Sequence, residues 1–131
     1  RGSVETAYFS VTGTDDEVVP FVNENNWRTN AFFCAWTAYQ TMNGMEVSSR
    51  PDFSKDATFG MALKDREVIS TNKRVTMEAG VLYKGNIPLI KVVAVNDYGH
   101  WNFKPDARLM WDFMKQFSRD PQTKKLVYNK R

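Results

Sequence analysis

The chain has 131 residues, of which 42% are hydrophobic, 25% charged and 14% aromatic. That length and balance fit one globular domain with a core of its own and exclude a disordered or low-complexity segment. The net charge of +3 comes from 18 basic and 15 acidic side chains mixed along the chain, so the basic stripe that nucleic acid demands is missing.

The one basic cluster is terminal, Lys124–Lys125 with residues 129–131, and reads as a solvated end. No apolar run approaches the ~20 residues needed to cross a bilayer. Neither nucleic acid nor a membrane is therefore expected as a partner. The opening "RGSVETAYFS" has neither a start methionine nor a signal-peptide pattern, and it runs almost at once into an interior-looking strand. The expectation is a single partial domain over 1–131, the C-terminal piece of something longer. Cys34 is the only cysteine, which excludes an internal disulfide but does not fix the compartment.

In chain order, "ETAYFSV" (5–11) is a β-branched and aromatic strand, and "TGTDDEVVPF" turns out of it. Residues 25–44 read as a helix capped by Asn25 or Asn26, with Phe32, Phe33, Trp36, Tyr39 and Gln40 at helical spacing and Gly44 at its end. Residues 45–56 are polar, broken by Pro51, and predicted as a loop. "ATFGMAL" (57–63) is a candidate strand. "RVTMEAGVLY" and "IPLIKVVAV" flank "KGN" (84–86), a connection suited to a hairpin. Residues 104–121 form the clearest helical pattern. Pro105 and Asp106 suit its first turn, Leu109, Met110, Phe113, Met114 and Phe117 form an apolar stripe, and Pro121 is the predicted stop. The order predicts an α/β fold with a mixed sheet.

Three carboxylates, Asp15, Asp16 and Glu17, follow the first strand directly, and His100, the only histidine, follows "IPLIKVVAV" in "NDYGHWNF". Functional groups in α/β sheets gather at the carboxyl ends of strands. A carboxylate there can accept a hydrogen bond from imidazole, fix its tautomer and stabilise the imidazolium. The two meet if the two strands are neighbours in the sheet. One histidine excludes a His-rich metal site, so no metal and no cofactor is expected.

These residues resemble a family. "TGTDDEVVPF" resembles the "H-G-T-x-D-x-x-V-P-[YF]" segment of α/β-hydrolase esterases of the polyhydroxybutyrate-depolymerase and feruloyl/acetyl-xylan-esterase type. "YGHWNFKPDARLMWDFMKQF" is similar to their histidine loop and closing helix. The resemblance covers both ends of the chain well and residues 45–75 poorly. Thr12 stands where those esterases carry histidine, and Trp101 stands one position earlier than their tryptophan.

The resemblance implies the C-terminal portion of an α/β-hydrolase fold, with Asp16 as triad acid, Asp15 as the alternative acid and His100 as base. Gly13, Pro20 and Phe21 match the turn that presents the acid. Trp101, beside the histidine, is the candidate for substrate contact. The implied activity is that of a serine carboxylesterase acting on acyl esters of plant polysaccharides or on short hydroxyalkanoate esters, with secretion as the family habit.

The nucleophile is missing. It belongs on a "G-x-S-x-G" elbow ahead of the acid, and none of Ser3, Ser10, Ser48, Ser49, Ser54, Ser70 and Ser118 has the flanking glycines. The implied partner is the N-terminal half of the same fold, and this chain alone is expected to be inactive. Cys34 is chemically able to replace the serine, but its mid-helix position between Phe33 and Ala35 reads as buried and structural. The aromatic group of Trp27, Phe32, Phe33, Trp36 and Tyr39 reads as helix core before substrate-stacking cap. The alternative to an esterase fragment is a non-catalytic α/β binding module, or a hydrolase-derived domain without its nucleophile. A raw apolar face and an unpaired strand edge at "TAYFSV" would favour the fragment.

Overall fold

The computed structural model describes residues 5–17, 20–70, 75–97 and 105–130. Its regular elements are β1 (Tyr8–Gly13), α1 (Ala31–Met42), β2 (Lys64–Ser70), β3 (Thr76–Lys84), β4 (Ile87–Val95), α2 (Pro105–Met114), β5 (Phe117–Arg119) and β6 (Leu126–Tyr128). The fold is mixed α/β. A four-stranded sheet has the order β1-β4-β3-β2, and β5 and β6 form a separate two-stranded ribbon. β1 runs parallel to β4, while β2–β3 and β3–β4 are antiparallel.

β4 carries the near-continuous apolar run because it lies between β1 and β3 and is covered on both faces. Against one face packs α1, where Phe33 and Trp36 meet Ile90, Val92 and Ala94. Against the other lie Met77, Ala79, Val93 and Val95, with Phe9, Val11 and Leu109 of α2 closing over them. β1 ends the sheet, with β4 as its neighbour among the described residues.

Helix α1 begins later than its pattern predicts. Asn30 is the cap, its side chain accepting from Phe33 N at 2.9 Å while its amide donates to Pro20 O at 2.6 Å. Asn25 and Asn26 instead belong to a turn whose backbone N–H groups both bond the Asn23 side chain. The helix stops as predicted at Gly44, whose φ of +67° is the left-handed conformation glycine adopts without strain. Phe33, Trp36, Gln40 and Asn43 point inward. That face excludes Cys34, which is exposed and not buried as its sequence context implies. It shares the outer face with Thr37 and Thr41.

Trp36 is fully buried among Phe21, Phe33 and Phe59, with ring centroids 6.0–6.4 Å away. Its indole N–H donates to Ser10 Oγ on β1 at 3.0 Å. The aromatic group on α1 is therefore core. Asn43, also fully buried, treats residue 6 as a sheet partner would: it accepts from Thr6 N at 2.6 Å and donates to Thr6 O at 2.9 Å.

Two further predicted elements differ. Residues 57–63 are not a strand. The Asp56 carboxylate accepts from both Thr58 N and Phe59 N, which holds a turn, and Phe59 and Met61 both go into the core. The strand starts at Lys64, with a register shift between Lys64 and Glu67. Gly80 on β3 lies beneath it, because a Cβ there would come within 2.6 Å of Leu63. Helix α2 also ends early, at Met114, and Pro121 does not stop it. Phe117 turns into the ribbon, its ring centroid 5.2 Å from Phe113 and 5.3 Å from Tyr128. Phe113 holds the buried position of the α2 stripe, while Met110 and Met114 are exposed.

Replacing the largest core side chain tests this packing. Trp36→Ala is expected to cost about 4 kcal/mol of unfolding free energy, the scale of an aromatic truncation in a core. Urea unfolding followed by far-ultraviolet circular dichroism measures it.

Candidate functional site

The carboxyl ends of β1 and β4 lie side by side, as the candidate site requires. Gly13 pairs with Val95, the last residue of β4. The loops beyond are tied together: Thr14 N donates to Val95 O at 3.0 Å, and Asp97 N donates to Thr14 Oγ1 at 2.7 Å. Asn96 is held in turn by β3, through its backbone N–H to Thr76 O at 2.9 Å and its amide to Thr76 Oγ1 at 3.0 Å.

Within "TDDE" the turn sorts the carboxylates. Asp16 N donates back to Gly13 O at 3.3 Å, and the Asp16 side chain turns inward to 7% exposure. Asp15 and Glu17 face solvent. Burial of a carboxylate is costly unless the group is partnered, so the inward residue is the one with a structural or chemical task. His100 and Trp101 lie outside the described residues. Asp97 stands three positions ahead of the histidine, on the loop clasped by Thr14.

Residues 51–60 form a neighbouring wall that spans the end of the predicted polar loop (45–56) and the start of the candidate strand (57–63), neither of which was assigned a role. Asp52 N donates to Gly60 O at 2.9 Å, and Asp52 Oδ1 accepts from Ser54 N at 3.0 Å. The Ser54 bonds hold the Asp52 carboxyl below its usual range. Arg66 braces the far end. Its guanidinium bonds Asp56 and Glu78, each at 2.6 Å, and lies 5.2 Å from the Phe59 ring centroid. Thr58 Oγ1 donates to the same Glu78 carboxylate at 2.9 Å. A cavity of about 370 Å³ opens between this wall, residues 21–24 and the Thr14 and Asn96 loops. The signal in the sequence was Phe53, a lone aromatic in a polar stretch.

Among the described residues, no cluster of three or more His, Cys, Asp or Glu side chains is placed to hold a metal ion. No helix among them is long and apolar enough to cross a membrane.

The Glu78 network generates a pH dependence. Burial pushes the Glu78 carboxyl up, but Arg66, Thr58 and Asn96 outweigh it and hold it below its ordinary value of 4.5. A depressed folded value contributes stability above the unfolded value, and that stability is lost as pH falls through the folded one. The urea midpoint is therefore expected to decline as pH falls below 4.5. Glu78→Gln is expected to flatten that decline while lowering the midpoint at neutral pH, both read from urea titrations across pH.

No family model, no curated protein and no solved structure matches the chain.

Proposed function

We propose that this chain is the acid- and histidine-bearing portion of a serine carboxylic-ester hydrolase with an α/β-hydrolase fold. The observation that carries the reading is the parallel pairing of β1 with β4, which brings the Asp16 turn and the loop leading to His100 to one end of the sheet. The inward turn of Asp16 supports its role as acid over Asp15. The outer edge of β1, which ends the sheet order among the described residues, supports an N-terminal half of the same fold as partner.

In this reading a serine from that half attacks the ester carbonyl. His100 accepts the hydroxyl proton and delivers it to the departing alcohol. Asp16 accepts the other imidazole N–H, keeps the ring in the required tautomer and stabilises the imidazolium. Water then attacks the acyl-enzyme, with His100 as base, and releases the carboxylic acid. The resemblance of the two motifs favours acyl esters on plant polysaccharides, then short hydroxyalkanoate esters, and an extracellular setting.

Turnover of p-nitrophenyl acetate by the protein isolated from its source, together with its intact mass, tests the reading. His100→Ala in that protein is expected to abolish turnover. Asp16→Asn is expected to lower kcat by about three to four orders of magnitude, and Asp15→Asn to leave it near wild type. A native chain of 15.1 kDa without turnover would overturn the proposal and leave a non-catalytic binding domain.

A further inference from the structure

We infer that the cavity beside the Asp16 turn is a binding pocket for an uncharged, largely apolar small-molecule group. Its volume of about 370 Å³ lies in the range of small-ligand pockets and is too small for a helix or a strand. Phe21, Val22, Phe53 and Ala57 supply the apolar lining, and the polar lining includes Thr14, Thr58 and Asn96. Among the described residues, Glu24, on the exposed rim, is the only ionisable one in the lining, and no basic side chain is among them. An anion placed there would lose its hydration with no cation among these lining residues to replace it. A cation would gain little from one solvent-screened carboxylate. A neutral, largely apolar group gives up far less hydration and gains contact with two aromatic rings.

The walls are built in place and do not need a ligand to form them. Phe21 is backed by the Trp36 and Phe59 rings. Its carbonyl accepts from Asn26 Nδ2 at 2.8 Å, and the Pro20 carbonyl before it accepts from Asn30 Nδ2. Opposite, the Asp52 and Asp56 side chains pin both ends of the segment that carries Phe53, Ala57 and Thr58. Thr58 and Asn96 are oriented by Glu78 and Thr76. A pocket whose walls are fixed in the free protein spends less of its binding energy on ordering. Thr14, two residues before Asp16, forms part of the lining, so the ligand would sit against the same turn. The inference does not require ester hydrolysis, since a non-catalytic domain with these walls would bind the same group.

The test is a titration of the purified protein with benzyl alcohol and with benzoate, two probes of similar size that differ in charge, by ligand-observed saturation-transfer NMR. Benzyl alcohol is expected to bind with a Kd of about a millimolar, and benzoate at least about tenfold more weakly because its carboxylate is desolvated. Ala57 is exposed at the mouth, so Ala57→Leu fills the cavity without touching the core. It is expected to weaken benzyl alcohol about tenfold, with an unchanged urea midpoint. Phe53→Ala is expected to weaken it by a similar factor, and Glu24→Gln to leave it unchanged.

Equal binding of the two probes overturns the inference. So does failure of benzyl alcohol to bind into the tens of millimolar, or binding by Ala57→Leu and Phe53→Ala that matches wild type. Absence of p-nitrophenyl acetate turnover by the protein isolated from its source, with benzyl alcohol binding intact, would count against the hydrolase reading alone. Turnover that survives with no binding would count against the pocket alone.

Discussion

The buried indole of Trp36 is the contact on which the rest of the arrangement depends. A tryptophan that is fully inside must find an acceptor for its N–H, and Ser10 on β1 provides it. That bond fixes α1 over the sheet at one angle and one register. The rings around the indole then set the positions of three otherwise irregular segments. Phe21 anchors the chain leaving the acid turn, Phe33 orients the first turn of α1, and Phe59 draws residues 51–61 down onto the core. The cavity wall formed by Phe21 is thus the outer surface of the core, and its shape follows from core packing.

A second constraint acts at the strand ends. Parallel strands must be joined through a long crossover, so sequence distance separates the two loops that lie together. Thr14 closes that gap twice, once through its backbone to Val95 and once through its hydroxyl to Asp97. The clasp ties the Asp16 turn to Asp97 at the end of β4.

Much of the chain outside helices and strands is held by amides and carboxylates that stand in for backbone partners. Asn43 replaces a strand beside Thr6, Asn30 caps α1 and holds Pro20, and Asp56 caps a turn while pairing Arg66. Each satisfies groups that would be costly to bury unpaired. Among the described residues, every buried side-chain nitrogen and oxygen has a partner. Long irregular stretches can therefore line a cavity and still be well defined.

The sequence by itself determined what is local. The β-branched and aromatic run at 5–11, the hairpin around Gly85, the inward stripe of α1 and its stop at Gly44 depend on side-chain period and on glycine conformation, which neighbouring residues reveal. The carboxylate-bearing turn after the first strand was legible for the same reason. The tertiary structure alone decided that β1 and β4 are neighbours, because strand order follows from contacts distant in sequence. It buried Asp16 and left Asp15 facing solvent within one turn, and it made Asn30 the cap in place of Asn25 and Asn26, with Asn30 also bonding Pro20. It put Cys34 outside, since Trp36 and Phe33 had already fixed the inner face. It ended α2 at Met114, where the packing of Phe117 between Phe113 and Tyr128 outweighed a helical pattern that ran on to Pro121. Local propensity amounts to a few tenths of a kcal/mol per residue, and burial of one aromatic ring outweighs several such terms.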